Sequence, residues 1–388
     1  MARKPRRAAA REITVHFATN RMPEIETEGG PIIGFGSDLG PVDGTAVRFG
    51  TVRVRAEGGA YSLIDGSLEV APEQLMAGAP LVRGSRDILG KLREDMKTGA
   101  RPTIVTVHGF SNSFADAMER AATILGFSGM DANVFAFTWP SRGSALPIPL
   151  PYADYVHDRE TARGSGVAMA RTIRILYDFL DGLPAEEQCR QPIHLICHSM
   201  GVFAFRHAVQ ALMRLPQGEA REFAAATDEP TPGPGKPAFP ALTAIPTEGP
   251  DPNRLRRTFD QIILAAGDED DDAFEDPQEL KYLPRLAKGV TVYHTGSDWV
   301  LNTLSRFTKF NGPRLGVSGP DNMGAISDKV TAVDVSDVIG FAEDPQSHQY
   351  YRIFPKVRDD IVAVLKGARP GDVPKREPLA AQRYRIKP

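Results

Sequence analysis

The sequence predicts an α/β protein with a mostly parallel central sheet and helices on both of its faces. Three observations carry that prediction. The chain has 388 residues, 41% of them hydrophobic, enough to bury a sizeable core. From residue 101 onward, short β-branched runs alternate with longer stretches whose apolar residues recur at three-to-four spacing, the pattern of parallel strands joined by helical crossovers. One of those runs, IHLIC (193–197), breaks into a polar pair, His198 and Ser199, and then a glycine, Gly201, so that a strand gives way to a helix through a sharp turn.

Taken in chain order, ITVHFAT (13–19) and AVRFGTVRVRA (46–56) read as added strands, expected antiparallel at the sheet edge and joined by Gly-rich loops. TIVTV (103–107), NVFAF (133–137), IHLIC (193–197), QIILAA (261–266), VTVYH (290–294) and VTAVDV (330–335) are the strands of the alternating part. Between them SFADAMERAATIL, ETARGSGVAMARTIRILYDFL, GVFAFRHAVQALMRL and PQELKYLPRLA read as helices, and FPKVRDDIVAVLKG closes the domain. The expected organisation is a basic tail over 1–10, one domain over 11–367 and a charged, Pro-bearing tail over 368–388 that is loosely held. Inside the domain, residues 229–253 are dense in Pro and Gly, which suit neither helix nor ladder. They read as a long surface loop, either part of a lid or a passive insertion.

Composition excludes several function classes. The formal net charge of −3 gives no global pull toward nucleic acid or an anionic membrane surface. No stretch approaches the roughly 18 apolar residues of a membrane span. The basic start MARKPRRAAAREITVHFATNR has no apolar segment after its charges, so a secretory signal is not supported and a cytoplasmic protein is expected. The two cysteines, Cys189 and Cys197, do not make a disulfide framework in so long a chain and read as reduced thiols.

The turn at CHSMG has the form of a nucleophile elbow, in which a serine sits at the strained apex between strand and helix and its neighbours two before and two after must be small. Here those are Cys197 and Gly201. Acyl transfer also needs donors aimed at the developing oxyanion. The amide of Met200, after the serine, supplies one. The strand TIVTV ends in His108-Gly109, where the glycine lets the backbone turn close to a substrate, and the Phe110 amide is the second. His108 itself reads as a structural hydrogen-bonding group beneath that loop.

The base follows from chain order, because in such folds the triad runs serine, acid, histidine. Of the eight histidines, His16, His108, His157, His194 and His198 precede Ser199, His207 lies in the next helix and His294 inside a strand. That leaves His348, in the loop DPQSHQYY. For the acid, Asp298 in HTGSDWVL is preferred and Asp268 in AAGDEDDD is the alternative; a carboxylate at a strand end can accept the imidazole N–H and fix its tautomer. The run Asp268 to Asp272 reads as a solvated loop and not as a metal site, since successive aspartates alternate in direction and no histidine ligand is near.

In this order the segments HFATNR, VHGFSNSF, FTWPSRG (137–143), CHSMG, ILAAGDED, GSDWVL, NGPRLG and SHQYY resemble the landmarks of the α/β-hydrolase superfamily. Within it they resemble the bacterial alpha/beta hydrolases of unknown function catalogued as DUF900. The elbow and the H-G-F loop are the specific segments, and the resemblance spans most of the chain. It implies the α/β-hydrolase fold, with Ser199 as nucleophile, Asp298 as acid and His348 as base. Two departures stand out: Cys197 lies where glycine, alanine or serine is commoner, and the insertion 229–253 is longer than expected. Members are often described only as esterases or lipases, so the resemblance supplies no substrate.

The expectation is a serine hydrolase acting on a small-molecule ester or related acyl bond, without cofactor, metal or nucleic-acid partner. A peptidase, amidase or thioesterase would use the same residues. A dehalogenase or epoxide hydrolase is disfavoured, because those chemistries want a carboxylate where Ser199 stands. The rival of another class is a non-catalytic scaffold that binds through the same pocket. Nothing in the sequence speaks to an oligomeric state.

Overall fold

The structure of the chain is a computed structural model that describes residues 10–42, 47–71, 73–74, 82–142, 152–181, 188–215, 249–305 and 312–388. The basic stretch 1–9 and most of the Pro/Gly-rich insertion, up to residue 248, lie outside the described residues.

The chain opens with β1 (Arg11–Thr19), β2 (Arg21–Ile25), β3 (Ile32–Leu39), β4 (Arg48–Glu57), β5 (Ala60–Leu63), β6 (Glu69–Ala71), β7 (Glu73–Gln74) and β8 (Val82–Arg83). The alternating part follows as α1 (Gly84–Gly99), β9 (Thr103–Val107), α2 (Phe114–Ser128), β10 (Asn133–Thr138), α3 (Tyr152–Gly164), α4 (Gly166–Asp181), β11 (Ile193–His198) and α5 (Met200–Leu212). It ends in β12 (Phe259–Ala265), β13 (Ala287–His294), β14 (Val330–Asp334), α6 (Pro355–Leu365), β15 (Arg376–Ala380) and β16 (Arg383–Ile386).

Twelve strands form one sheet in the order β15-β16-β14-β13-β12-β11-β9-β10-β1-β4-β5, with β6 against β4. From β16 to β1 every pairing is parallel; antiparallel strands flank this block on both sides. The central strands β9 and β11 are buried at every residue, as apolar strands covered on both faces must be. One face packs against α1, α4 and α5 through residues such as Leu92, Met169 and Phe205. The other packs against α2 and α6 through Met118 and Ile361. The fold is the mostly parallel α/β architecture expected. No helix among the described residues is long and apolar enough to cross a membrane.

Several elements differ from expectation. β1 is not an antiparallel edge strand: it pairs parallel with β10 while β4 pairs antiparallel beyond it. The helical stretch 160–180 is split into α3 and α4 at Ser165. There α4 comes so close to α5 that a Cβ on Gly166 would meet the His207 backbone at 2.9 Å. PQELKYLPRLA is not a helix but turns ending in a single 3-10 turn, Leu283–Leu286, ahead of β13; Pro284 lacks the amide a longer helix needs. The segment after 368 is not a loose tail. β16 lies parallel beside β14 with Ile386 buried, and Arg376 pairs with the buried Asp360 at 2.6 Å. Helix α1, unanticipated, buries Ile88, Leu89, Leu92 and Met96 on one stripe.

Candidate active site

The C-terminal ends of β9, β11, β12 and β13 bring the proposed residues to one edge of the sheet, where ligands bind in open α/β sheets. Ser199 follows β11 directly and stands at the N-cap of α5 with φ 53° and ψ −126°. That left-handed backbone is costly for any residue with a side chain. It is imposed from both sides: the Ser199 amide donates to the Ala265 carbonyl at 3.0 Å, and its carbonyl accepts from the amides of Val202 at 3.0 Å and Asp268 at 3.2 Å. The small flanks have physical reasons. A Cβ on Gly201 would lie 2.5 Å from the His108 carbonyl oxygen, and one on Gly109 would lie 2.8 Å from the Ser199 Cβ. Cys197 points into the core between β9 and β12, where burial pushes its thiol well up. Cys197 and Cys189 are both free thiols.

The loop after β9 crosses over the serine. Helix α2 begins at once behind it, held by a capping box in which Ser113 and Asp116 satisfy each other's backbone amides. Ser111, at the crest, has φ 58°. Its amide donates to Asp158 at 3.3 Å and that of Asn112 to Ser141 at 3.0 Å, while the Phe110 amide has no acceptor among the described residues. The Met200 amide is one of those left free at the start of α5. His108 lies beneath this loop, stacked on Trp139 with ring centroids 5.1 Å apart. Its imidazole contacts the Gly109 carbonyl at 2.9 Å and the Thr138 hydroxyl at 3.0 Å. Burial, then the charge of Arg21, hold it well below the ordinary histidine range.

His348 and Asp298 meet: the imidazole Nδ1 lies 2.7 Å from Asp298 Oδ2, and the other carboxylate oxygen accepts the Leu301 amide at 2.9 Å. Both side chains are buried. Burial raises the Asp298 carboxyl above its ordinary range, and the facing His348 works against that rise. The two loops are tied together by the Trp299 amide on the Gln346 carbonyl at 2.9 Å. Tyr350 anchors the histidine loop by donating to the Tyr293 carbonyl and accepting the Ala266 amide, both at 2.7 Å. His198, next to the serine in sequence, contacts the His348 carbonyl at 3.0 Å and stacks on Tyr351, so the histidine loop is docked on the end of the serine's own strand. Sequence reasoning passed over His198 because it searched for a base and not for a support.

Asp268 stands elsewhere. Its carboxylate accepts the hydroxyls of Tyr155 and Ser305 and not the imidazole. The acidic loop that follows is partnered by guanidinium groups: Arg314 pairs with Asp270, and Arg206 with Glu269 at 3.0 Å and Glu279 at 2.7 Å. Asp270, Asp272 and Glu279 offer oxygens within 4.8 Å of one another, with both arginines bound to the same group. Arg21 and Asp158, which surround the 108–112 loop, had no assigned role in the sequence.

A family model described as alpha/beta hydrolase of unknown function (DUF900) matches residues 88–369. No curated protein matches the chain. Among solved structures, an iodinated complex of an acetyl xylan esterase is similar at 12% identity and a TM-score of 0.29, over 68% of this chain and 96% of that one. A likeness at that score carries no argument about function.

Proposed function

The chain belongs to the DUF900 family of alpha/beta hydrolases, and from that premise we propose that it is a serine hydrolase cleaving an ester or related acyl bond through Ser199, His348 and Asp298. In this reading the Ser199 hydroxyl attacks the acyl carbonyl while the His348 Nε2 takes its proton. The tetrahedral oxyanion is held by the amides of Phe110 and Met200. His348 then gives the proton to the departing alcohol, leaving an acyl-enzyme, and the same imidazole activates the water that releases the acid. Asp298 accepts the Nδ1–H, which leaves Nε2 bare for the serine proton and steadies the imidazolium that forms. No step calls for a cofactor.

The observation that carries the reading is the 2.7 Å contact between His348 and Asp298, in a loop docked on the strand that ends in the strained Ser199. The Asp268 alternative finds no support, because hydroxyl groups occupy both of its oxygens. The substrate is a small acyl compound, and amides or thioesters would meet the same groups. A fluorophosphonate probe tests the proposal: wild type becomes labelled at Ser199, and Ser199→Ala loses both the label and at least about 10⁴-fold of ester turnover. An unlabelled, inactive wild type across acyl esters of graded chain length would favour the non-catalytic scaffold instead.

A further inference from the structure

The segment HFATNR has no part in the chemistry above, yet its arginine is among the most deeply buried charges of the molecule. Arg21 is 1% exposed, and each end of its guanidinium is spoken for. Nε donates to the Thr138 hydroxyl at 2.9 Å; Nη1 donates to the carbonyls of Gly36 at 3.0 Å and Ser141 at 3.1 Å; Nη2 donates to the Asn112 carbonyl at 2.7 Å. Burial brings its pKa down to about 9, with Asp158 and Asp116 opposing the fall, so it remains a cation at neutral pH. Keeping a charge dry in this way is costly unless every donor is used.

The hydrogen-bond directions can be followed from Arg21 to the loop over the serine. A carbonyl oxygen only accepts, so the contact between His108 Nδ1 and the Gly109 oxygen at 2.9 Å puts the proton on Nδ1. Held neutral by burial, the ring then has a bare Nε2, which must accept the Thr138 hydroxyl proton across their 3.0 Å contact. That hydroxyl is free to turn its proton toward His108 because its lone pair receives the Arg21 Nε–H. On the other side the Asn112 side-chain amide donates to the same Gly109 oxygen at 3.0 Å and to the Phe110 oxygen at 2.8 Å, while Arg21 holds the Asn112 backbone. The Gly109 carbonyl and the Phe110 amide are two ends of one peptide plane. No peptide among the described residues is cis, so the two groups point in opposite directions. Pinning the carbonyl therefore aims the amide.

We propose that Arg21 is the positioning residue of the oxyanion hole, fixing the 109–110 peptide through Thr138 and His108 on one side and Asn112 on the other, so that the Phe110 amide faces the carbonyl attacked by Ser199. This rests on the serine hydrolase reading. It also accounts for the strained backbone at Ser111, which persists because the network around it over-determines the loop.

Thr138→Val tests the relay without touching the arginine or the volume of the site. The expected result is a loss of about 10- to 100-fold in kcat for ester hydrolysis and in the rate of fluorophosphonate labelling, with KM within about twofold. Arg21→Met should do the same or more. Histidine-labelled nitrogen NMR of the wild type should show His108 as the Nδ1–H tautomer, a readout independent of activity and of whether Arg21→Met folds. A labelled wild type whose folded Thr138→Val variant reacts at the wild-type rate, or a His108 protonated on Nε2, overturns the relay. A wild type that takes no label at all fails the serine hydrolase reading itself, and the tautomer still decides the relay.

Discussion

Strand β11 carries a buried histidine toward each of its ends, and the two imidazoles meet different surroundings. Near the N-terminal end His194 is 1% exposed, neither ring nitrogen finds a hydrogen-bond partner among the described residues, and it lines a cavity of about 590 Å³ with Gln261, Thr291 and Thr331. At the C-terminal end His198 contacts the loop that holds His348, and His348 is paired with a buried carboxylate beside a serine forced into positive φ. Burial of an imidazole is common to both ends. What separates them is a charged partner, a strained backbone and free amide donors, the groups a reaction uses.

The comparison is broken or sharpened most strongly at the carboxylates. Asp298→Asn should reduce ester turnover by about 10⁴-fold, because the amide can present its NH₂ to the imidazole and select the wrong tautomer. Asp268→Asn, whose partners are the Tyr155 and Ser305 hydroxyls, should cost less than about tenfold. Steady-state kinetics on both folded variants decides it, and a reversal of the two effects would move the acid to Asp268.

At the other end of the strand, His194→Gln should leave turnover within about twofold and change stability instead. Burial lowers the His194 pKa to about 4, below the ordinary value near 6.5. The unfolded chain therefore binds the proton first. Stability from keeping this ring neutral is fully present above about pH 6.5 and is lost as pH falls toward 4, by roughly 2 kcal/mol at pH 5. Urea midpoints at pH 7.5 and 5 should show wild type losing more than the glutamine variant. A variant that loses activity as Asp298→Asn does would erase the distinction between the two ends.

Much of the site was legible because it depends on local sequence or on chain order. Ser199 announces itself through the small residues on either side and the strand before it, and His348 and Asp298 follow from order along the chain. The parallel strands were legible from β-branched runs. Other elements draw on contacts no window of sequence contains. The 383–386 strand reads as alternating arginines until β14 offers it an edge, and Arg21 acquires its meaning from Asn112, Thr138 and Ser141, about a hundred positions away. The missing helix at 277–287 was a misjudged proline, a local signal that should have outweighed the apolar spacing.

The backbone at Ser199 has a consequence for selection. A residue with a Cβ held at φ 53° and ψ −126° carries strain of order 1–3 kcal/mol, which glycine would not feel. The nucleophile thus occupies a position where the fold alone would favour its replacement, and activity and stability select for opposite residues at one site. Ser199→Gly should therefore melt at or above Ser199→Ala, the reverse of the usual order for these two residues within a helix or strand, with both variants inactive. A calorimetric comparison of the pair would measure how much stability the chain gives up to present a hydroxyl at this turn.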